Sequence, residues 1–254
     1  MKKITHASLA LVTILAPLAN TLAAVALDRT RIIYNEGEKA VSLNVSNQNK
    51  ELPYLAQGWI ENEQGKKIAT PFTVLPPIQR IEPGESSQIR VQALPAVNGL
   101  AKDRESLFYF NLREIPPRSD QPNTLQIALQ TRIKVFYRPK SLVVERPHLS
   151  TAWQNKLVLE RNGERYTAYN PTGYFITLVD ASRRKGEKGI SDFEPVMIAP
   201  KSRSVLNVTA TKLGNAPALT YIDDYGGRPV LQFQCKENNC TPVEDAKYNS
   251  EKIK

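Results

Sequence analysis

The sequence predicts an all-β protein of two antiparallel sandwich domains, and three observations carry that prediction. Apolar and polar residues alternate with period two, as in Val41, Leu43 and Val45 against Ser42, Asn44 and Ser46. Turn-forming clusters recur about every ten residues, among them Asn35-Glu36-Gly37, Asn62-Glu63-Gln64-Gly65, Glu82-Pro83-Gly84 and Pro116-Pro117. No segment carries the 3.6-residue period of a long amphipathic helix. The 254 residues are enough for two cores, and 41% hydrophobic with 23% charged residues is ordinary for globular chains, which excludes disorder and a multi-spanning membrane protein.

Taken in order, the chain opens with Lys2 and Lys3, an apolar run from Ala7 to Leu18, and small residues at Thr21, Ala23, Ala24 and Ala26. Charge, apolar core and small-residue end form a secretory signal peptide over residues 1–23, and the run is well short of the ~20 residues that span a bilayer. Cleavage fits after Ala23 or after Ala26. A first domain, residues 24–138, follows, with further strand runs at Leu55, Gly58-Trp59-Ile60, Ile89 to Val91 and Leu107 to Leu112. About seven short strands at this spacing describe an immunoglobulin-type sandwich.

The longest regular segment runs from Asn123 to Tyr137. Leu125, Ile127, Leu129, Thr131 and Ile133 share one face, and Gln126, Ala128, Gln130, Arg132 and Lys134 the other. The row is either this domain's own core or an apolar row offered to another protein, since an extended strand at a sheet edge is otherwise an aggregation hazard. Arg138-Pro139-Lys140 ends it, because proline cannot continue a ladder. A second sandwich is expected over residues 139–241, with strands at Lys156 to Glu160, Arg165 to Asn170, Tyr174 to Asp180, Val196 to Ala199, Ser204 to Val208 and Val230 to Gln234. The charged, pattern-free residues 242–254 are expected to be a mobile tail.

Residues able to do covalent chemistry are scarce. The two histidines are His6, in the leader, and His148, in a loop after Pro147, and no G-x-S-x-G motif or phosphate-cradling loop occurs. Asp223-Asp224 before Gly226-Gly227 lacks the spacing of a calcium loop and reads as a turn in which one carboxylate meets an arginine. The sequons at Asn44 and Asn207 fall inside strands. No enzyme, metal site or cofactor is expected. The 34 Lys+Arg exceed the 25 Asp+Glu by nine but are scattered, so no nucleic-acid partner is expected, and a few basic anchors for a carboxylate fit better. Cys235 and Cys240, the only cysteines, are expected to bridge a hairpin-like end in an oxidising compartment.

Several stretches carry a resemblance over nearly all of the mature chain: Leu27-Asp28-Arg29-Thr30-Arg31, Leu52-Pro53-Tyr54-Leu55-Ala56-Gln57, Gln79-Arg80-Ile81-Glu82-Pro83-Gly84, Asp103-Arg104-Glu105-Ser106-Leu107-Phe108, Ile133-Lys134-Val135-Phe136-Tyr137-Arg138-Pro139 and Asp224-Tyr225-Gly226-Gly227-Arg228-Pro229. By these the chain resembles the periplasmic pilus (fimbrial) chaperones. The resemblance implies two immunoglobulin-like domains set in an L around a cleft, cleavage after Ala23, and a chaperone that lends a strand to incomplete pilus subunits and delivers them to an outer-membrane usher. It implies that Arg31 and Lys134 anchor the subunit's terminal carboxylate, that Leu125, Ile127 and Leu129 form the donated row, and that Glu105, Arg138 and Asp224 form an interdomain ion network. Its implied partners are pilins, a tip adhesin and the usher, with a self-capping homodimer when free. The short loop from Pro116 to Asn123 resembles the branch that serves rod-shaped, adhesin-tipped pili. An exported adhesin or ligand-binding sandwich is the alternative from another class.

Overall fold

The computed structural model describes residues 23–120, 123–144 and 152–243. Ten strands build the first domain: β1 (Val25–Leu27), β2 (Arg31–Asn35), β3 (Ala40–Asn47), β4 (Tyr54–Asn62), β5 (Lys67–Ile68), β6 (Phe72–Leu75), β7 (Ile78–Ile81), β8 (Ser86–Ala93), β9 (Ser106–Ile115) and β10 (Gln130–Arg138). They form a sheet in the order β1-β3-β8-β6 and a second in the order β2-β10-β9-β4-β5, with β7 also on β4. The period of two read from the sequence becomes the inner faces of these sheets. Leu43 and Val45 on β3 and Ile89 and Val91 on β8 meet Ile60, Phe110, Leu112 and Val135 from the other sheet, all buried. Phe72 stands edge-on to Phe108, ring centroids 5.2 Å apart, and helps close this core.

The chain changes sheet between β1 and β2. β1 is antiparallel to β3, whereas β2 runs parallel to β10, with Arg31 opposite Lys134 and Asn35 opposite Arg138. That parallel pairing covers only the second half of β10.

The second domain holds β11 (Val158–Asn162), β12 (Arg165–Asn170), β13 (Ile176–Ser182), β14 (Val196–Ile198), β15 (Ser202–Thr209), β16 (Ala218–Tyr221), β17 (Val230–Lys236) and β18 (Asn239–Pro242), with a single helical turn α1 (Ala210–Leu213). The hydrogen-bonded path is β14-β13-β16-β17-β18-β11-β12-β15. The first half of β17 pairs with β16 and the second half with β18, so one strand turns the corner of the sandwich. Leu157, Leu159, Tyr166, Leu178, Leu206, Leu219 and Phe233 make its core. No helix among the described residues is long and apolar enough to cross a membrane.

Several expectations change. The strand expected from Asn123 to Tyr137 is hydrogen-bonded as a strand only from Gln130, because residues 124–129 have no pairing strand among the described residues. Strands β16 and β18 were not legible: Ala218–Tyr221 is short, and Asn239–Pro242 pairs through Cys240 and ends in a proline. Pro242, expected in the tail, pairs with Phe233. The leader with His6, His148 and residues 244–254 lie outside the described residues.

Cys235 and Cys240 are joined, directly opposite one another on β17 and β18. Cys240 is fully buried against the second core. The loop they close is short, so loop-closure entropy gives about 2 kcal/mol. Replacing both by serine is expected to lower the second domain's calorimetric transition by roughly 10 °C, at about 4–8 °C per kcal/mol for a domain this size, and to leave the first domain's unchanged. An unmoved second transition would show that the bridge adds nothing to stability.

Candidate functional site

The first part of the site is an open strand edge. β9 pairs with one side of β10 from Gln130 to Tyr137, while β2 pairs with the other side only from Lys134 onward. From Gln130 to Ile133 the second side has no partner strand among the described residues, and the segment before it has none on either side. Where the segment meets β9, the Glu114 amide donates to the Leu129 carbonyl at 3.0 Å.

Parity then sorts the side chains. Ile133, Val135 and Tyr137 enter the first core. Leu129, Ile127 and Leu125 continue the same face beyond the sandwich, with exposures rising from 42% through 63% to 84%. The row is therefore not core: it leaves its own domain progressively. Gln126, on the opposite face, donates to the Pro117 carbonyl and ties the segment back without using the apolar row. Leu52, Tyr54, Pro117, Leu125 and Ile127 line a surface cavity of about 500 Å³ there.

The second part lies where the edge stops. Arg31 begins β2 opposite Lys134, so two cations sit side by side at the point where β2 takes over the pairing. The second domain positions both. Lys134 donates to Thr177 Oγ1 on β13 at 3.3 Å, and Arg31 Nη1 donates to the Ile222 carbonyl at 3.5 Å. Ile222 in turn donates its amide to the Thr177 carbonyl at 3.0 Å. Neither cation has a carboxylate within ion-pair distance among the described residues, and Arg31 Nε is buried without a partner there. Burial, and then the charge of Arg31, pushes Lys134 down to about 8. Burial likewise lowers Arg31, against the opposing pull of Asp224, Asp223 and Glu105. Two half-buried positive charges without a counter-ion are a receptor for an anion.

A third cluster holds the domains together. Arg138, at the end of β10, donates from Nε to Glu105 Oε1 at 2.8 Å and from Nη1 and Nη2 to the two oxygens of Asp224 at 2.7 and 3.0 Å. Its guanidinium also lies 4.8 Å from the Trp153 ring and 5.1 Å from the Tyr174 ring, which are themselves stacked. Glu105 Oε2 accepts from the Phe175 amide at 2.8 Å. Burial pushes Glu105 up to about 7 against the pull of Arg138. Burial opposes the charge on Arg138, but its bonds to Asp224 and the charge of Glu105 outweigh that and raise it. The loop presenting Asp224 is fastened by Asp223, whose Oδ1 accepts from the Tyr225 and Gly227 amides. Gly226, at φ +86°, admits the close approach of this loop to the first domain, since a Cβ there would lie 2.7 Å from Thr30 Oγ1.

The structure thus brings Arg31 and Lys134 together in one cluster, and Glu105, Arg138 and Asp224 in another. The apolar row leads to the first of these. Sequence reasoning missed Thr177, the Ile222 carbonyl and the Trp153–Tyr174 stack. No local pattern marks Thr177 or Ile222, because their role arises only from the opposing domain; a Trp near a linker arginine was the one available signal for the stack.

Two expected outcomes follow from these charges. Lys134 ionises lower in the folded chain than in the unfolded one. Its contribution to stability is therefore complete above the ordinary lysine value and lost as pH falls through about 8, where the buried amine must carry charge beside Arg31. Lys134→Met is expected to raise the melting temperature of the free protein by about 2–4 °C at pH 7, with the gain shrinking toward pH 10; an unchanged or lowered melting temperature at pH 7 refutes the stored repulsion. Glu105→Ala leaves a buried arginine with one carboxylate fewer, a loss of about 3 kcal/mol. X-ray scattering of that variant is expected to broaden the interdomain distance distribution, and a profile identical to the unaltered protein's would assign the network to the domain folds alone.

Comparison with known proteins adds the following. The family described as "Pili and flagellar-assembly chaperone, PapD N-terminal domain" matches residues 24–143, and "Pili assembly chaperone PapD, C-terminal domain" matches residues 152–233. The probable fimbrial chaperone YfcS of Escherichia coli (strain K12) is 49% identical over 226 residues, covering 89% of this chain and 88% of the relative. The chaperone protein PapD of Escherichia coli is 49% identical over 222 residues, covering 86% and 90%. Among solved structures, the Salmonella enterica SafA pilin in complex with the SafB chaperone matches with a TM-score of 0.70 at 25% identity, over 85% of this chain and 99% of the matched one.

Proposed function

The chain belongs to the PapD-like pilus-assembly chaperones, and from that premise we propose that it binds pilus subunits in the periplasm by lending them the strand edge that begins at Leu125. The observation that carries the proposal is an apolar row on an edge that has no partner among the described residues, running into two cations that have no counter-ion there.

The direction of the subunit strand follows from β2. That strand lies parallel to β10 and starts at Arg31, so a chain continuing its line toward Leu125 runs parallel to the lent edge and reaches the cations with its last residue. A terminal α-carboxylate arrives between Arg31 and Lys134. From Leu125 to Lys134 an extended chain covers roughly 30 Å, the length of a long strand. Leu125, Ile127 and Leu129 fill the subunit's open groove. Burying them is worth ~1.5–3 kcal/mol each before ordering costs, so the row supplies most of the affinity. The carboxylate gains ~1.5–3 kcal/mol per charged hydrogen bond and sets the alignment, since a slip of one residue would turn the row away from the groove. The Arg138 network holds the second domain, and with it Thr177 and Ile222, against the cations.

Delivery of subunits to an outer-membrane usher, capture of a tip adhesin as well as pilins, and a free state capped by a second copy complete the proposed role. Export by the leader places it in the periplasm.

Ile127→Glu is the decisive variant. At 63% exposure the side chain is outside the first core, so the variant is expected to keep its thermal transition within a few degrees while losing subunit capture in a co-purification assay. Gln126→Lys, on the opposite face, is expected to retain capture. A collapsed first domain in Ile127→Glu, or undiminished capture, would overturn the proposal.

A further inference from the structure

Glu114 takes no part in the proposed function, yet the residue is buried, at 5% exposure. Among the described residues it has no cation within ion-pair distance, unlike Glu105 with Arg138. Its Oε2 accepts from the Val25 amide at 2.8 Å, reaching from β9 across to β1 in the opposite sheet. Ala24 is held beside it by its own carbonyl, which accepts from the Gln48 amide at 2.6 Å. A buried carboxylate with one neutral donor among the described residues has room for a positive charge to complete it.

Cleavage after Ala23 supplies that charge. Hydrolysis of the Ala23–Ala24 peptide bond by water leaves the carboxylate on the departing leader and an amine on Ala24, which takes up a proton at neutral pH. Successive residues lie about 3.8 Å apart, so this ammonium forms within one residue's length of the atom Glu114 already holds. Cleavage after Ala26 would instead delete Val25, which is buried and pairs with Asn47, and with it the donor Glu114 has. We propose that Glu114 is the binding site for the chain's own mature amino terminus, the α-ammonium of Ala24, so that removal of the leader adds an ion pair to the hydrogen bond that already holds β1. Arg31 opens β2 four residues beyond β1. That ion pair therefore also helps fix the approach of the chain to the cationic cleft. The proposal rests on the export reading for the origin of the terminus.

The test is a thermal cycle on purified chains released from a removable fusion: one starting at Ala24, one keeping Leu22-Ala23 in front of it, and each with and without Glu114→Gln. The amide of Gln still accepts from Val25, so the variant keeps the fold. The two-residue extension is expected to lower the melting temperature by about 2–4 °C, Glu114→Gln by a similar amount, and the pair together by no more than the larger single effect. Effects that add, or an extension that changes nothing, would overturn the proposal. Because no export step is involved, this outcome stands apart from the fate of the export reading. Amino-terminal sequencing of the protein recovered from cells is expected to begin at Ala24, and a start at Leu27 would equally overturn it.

Discussion

Everything distinctive in this molecule depends on a mismatch of strand lengths. β9 supports β10 along nearly its whole length, but β2 supports it only from Lys134, and the chain before Gln130 runs on with no partner strand among the described residues. A sheet edge presenting free amides, carbonyls and an apolar row is a template for another chain, and ordinary proteins shorten, charge or cover such edges. Here the edge is left long, and the charges are placed at its inner end rather than along it. The chain that buries Ile133 and Val135 within β10 therefore leaves Leu129, Ile127 and Leu125 out in water just before that strand begins.

The cationic end has its own dependence. Arg31 and Lys134 belong to the first domain, but the groups that aim them, Thr177 and the Ile222 carbonyl, belong to the second. The pair is thus a product of the domain arrangement, and that arrangement passes through Arg138, four residues beyond Lys134 on the same strand. One continuous stretch of chain thereby carries the exposed apolar row, the cation of Lys134 and the interdomain clamp of Arg138 in sequence.

How much of this was legible is clear from particular residues. The alternation at Val41 to Ser46 and at Leu125 to Lys134 located strands and faces, since parity is a local property. The segment before Gln130 was read as strand, but the structure pairs it with no strand among the described residues and leaves both of its faces exposed; no sequence pattern says whether a partner strand is present, since that depends on where β2 begins. Cys235 and Cys240 were readable because spacing and the exported context leave few alternatives. Asn239–Pro242 was not, since two polar residues and a proline hide a strand that owes its place to the bridge and to β17. The cleft residues Arg31 and Lys134 and the Glu105, Arg138 and Asp224 cluster came from resemblance, not from periodicity. The structure brings each group into contact through pairings between elements far apart in the chain.

The parallel register of β2 and β10 would let the proposed site read distance from a chain's terminus. An α-carboxylate is common to every polypeptide, and three aliphatic side chains spaced two residues apart make no demand beyond apolar filling at matching intervals. As proposed, the site is a ruler laid from a chain's last atom inward, which would grade a ligand by distance from its terminus and be nearly indifferent to spelling. One length of edge can accordingly serve many different sequences, provided that each places its gaps at the same tick marks.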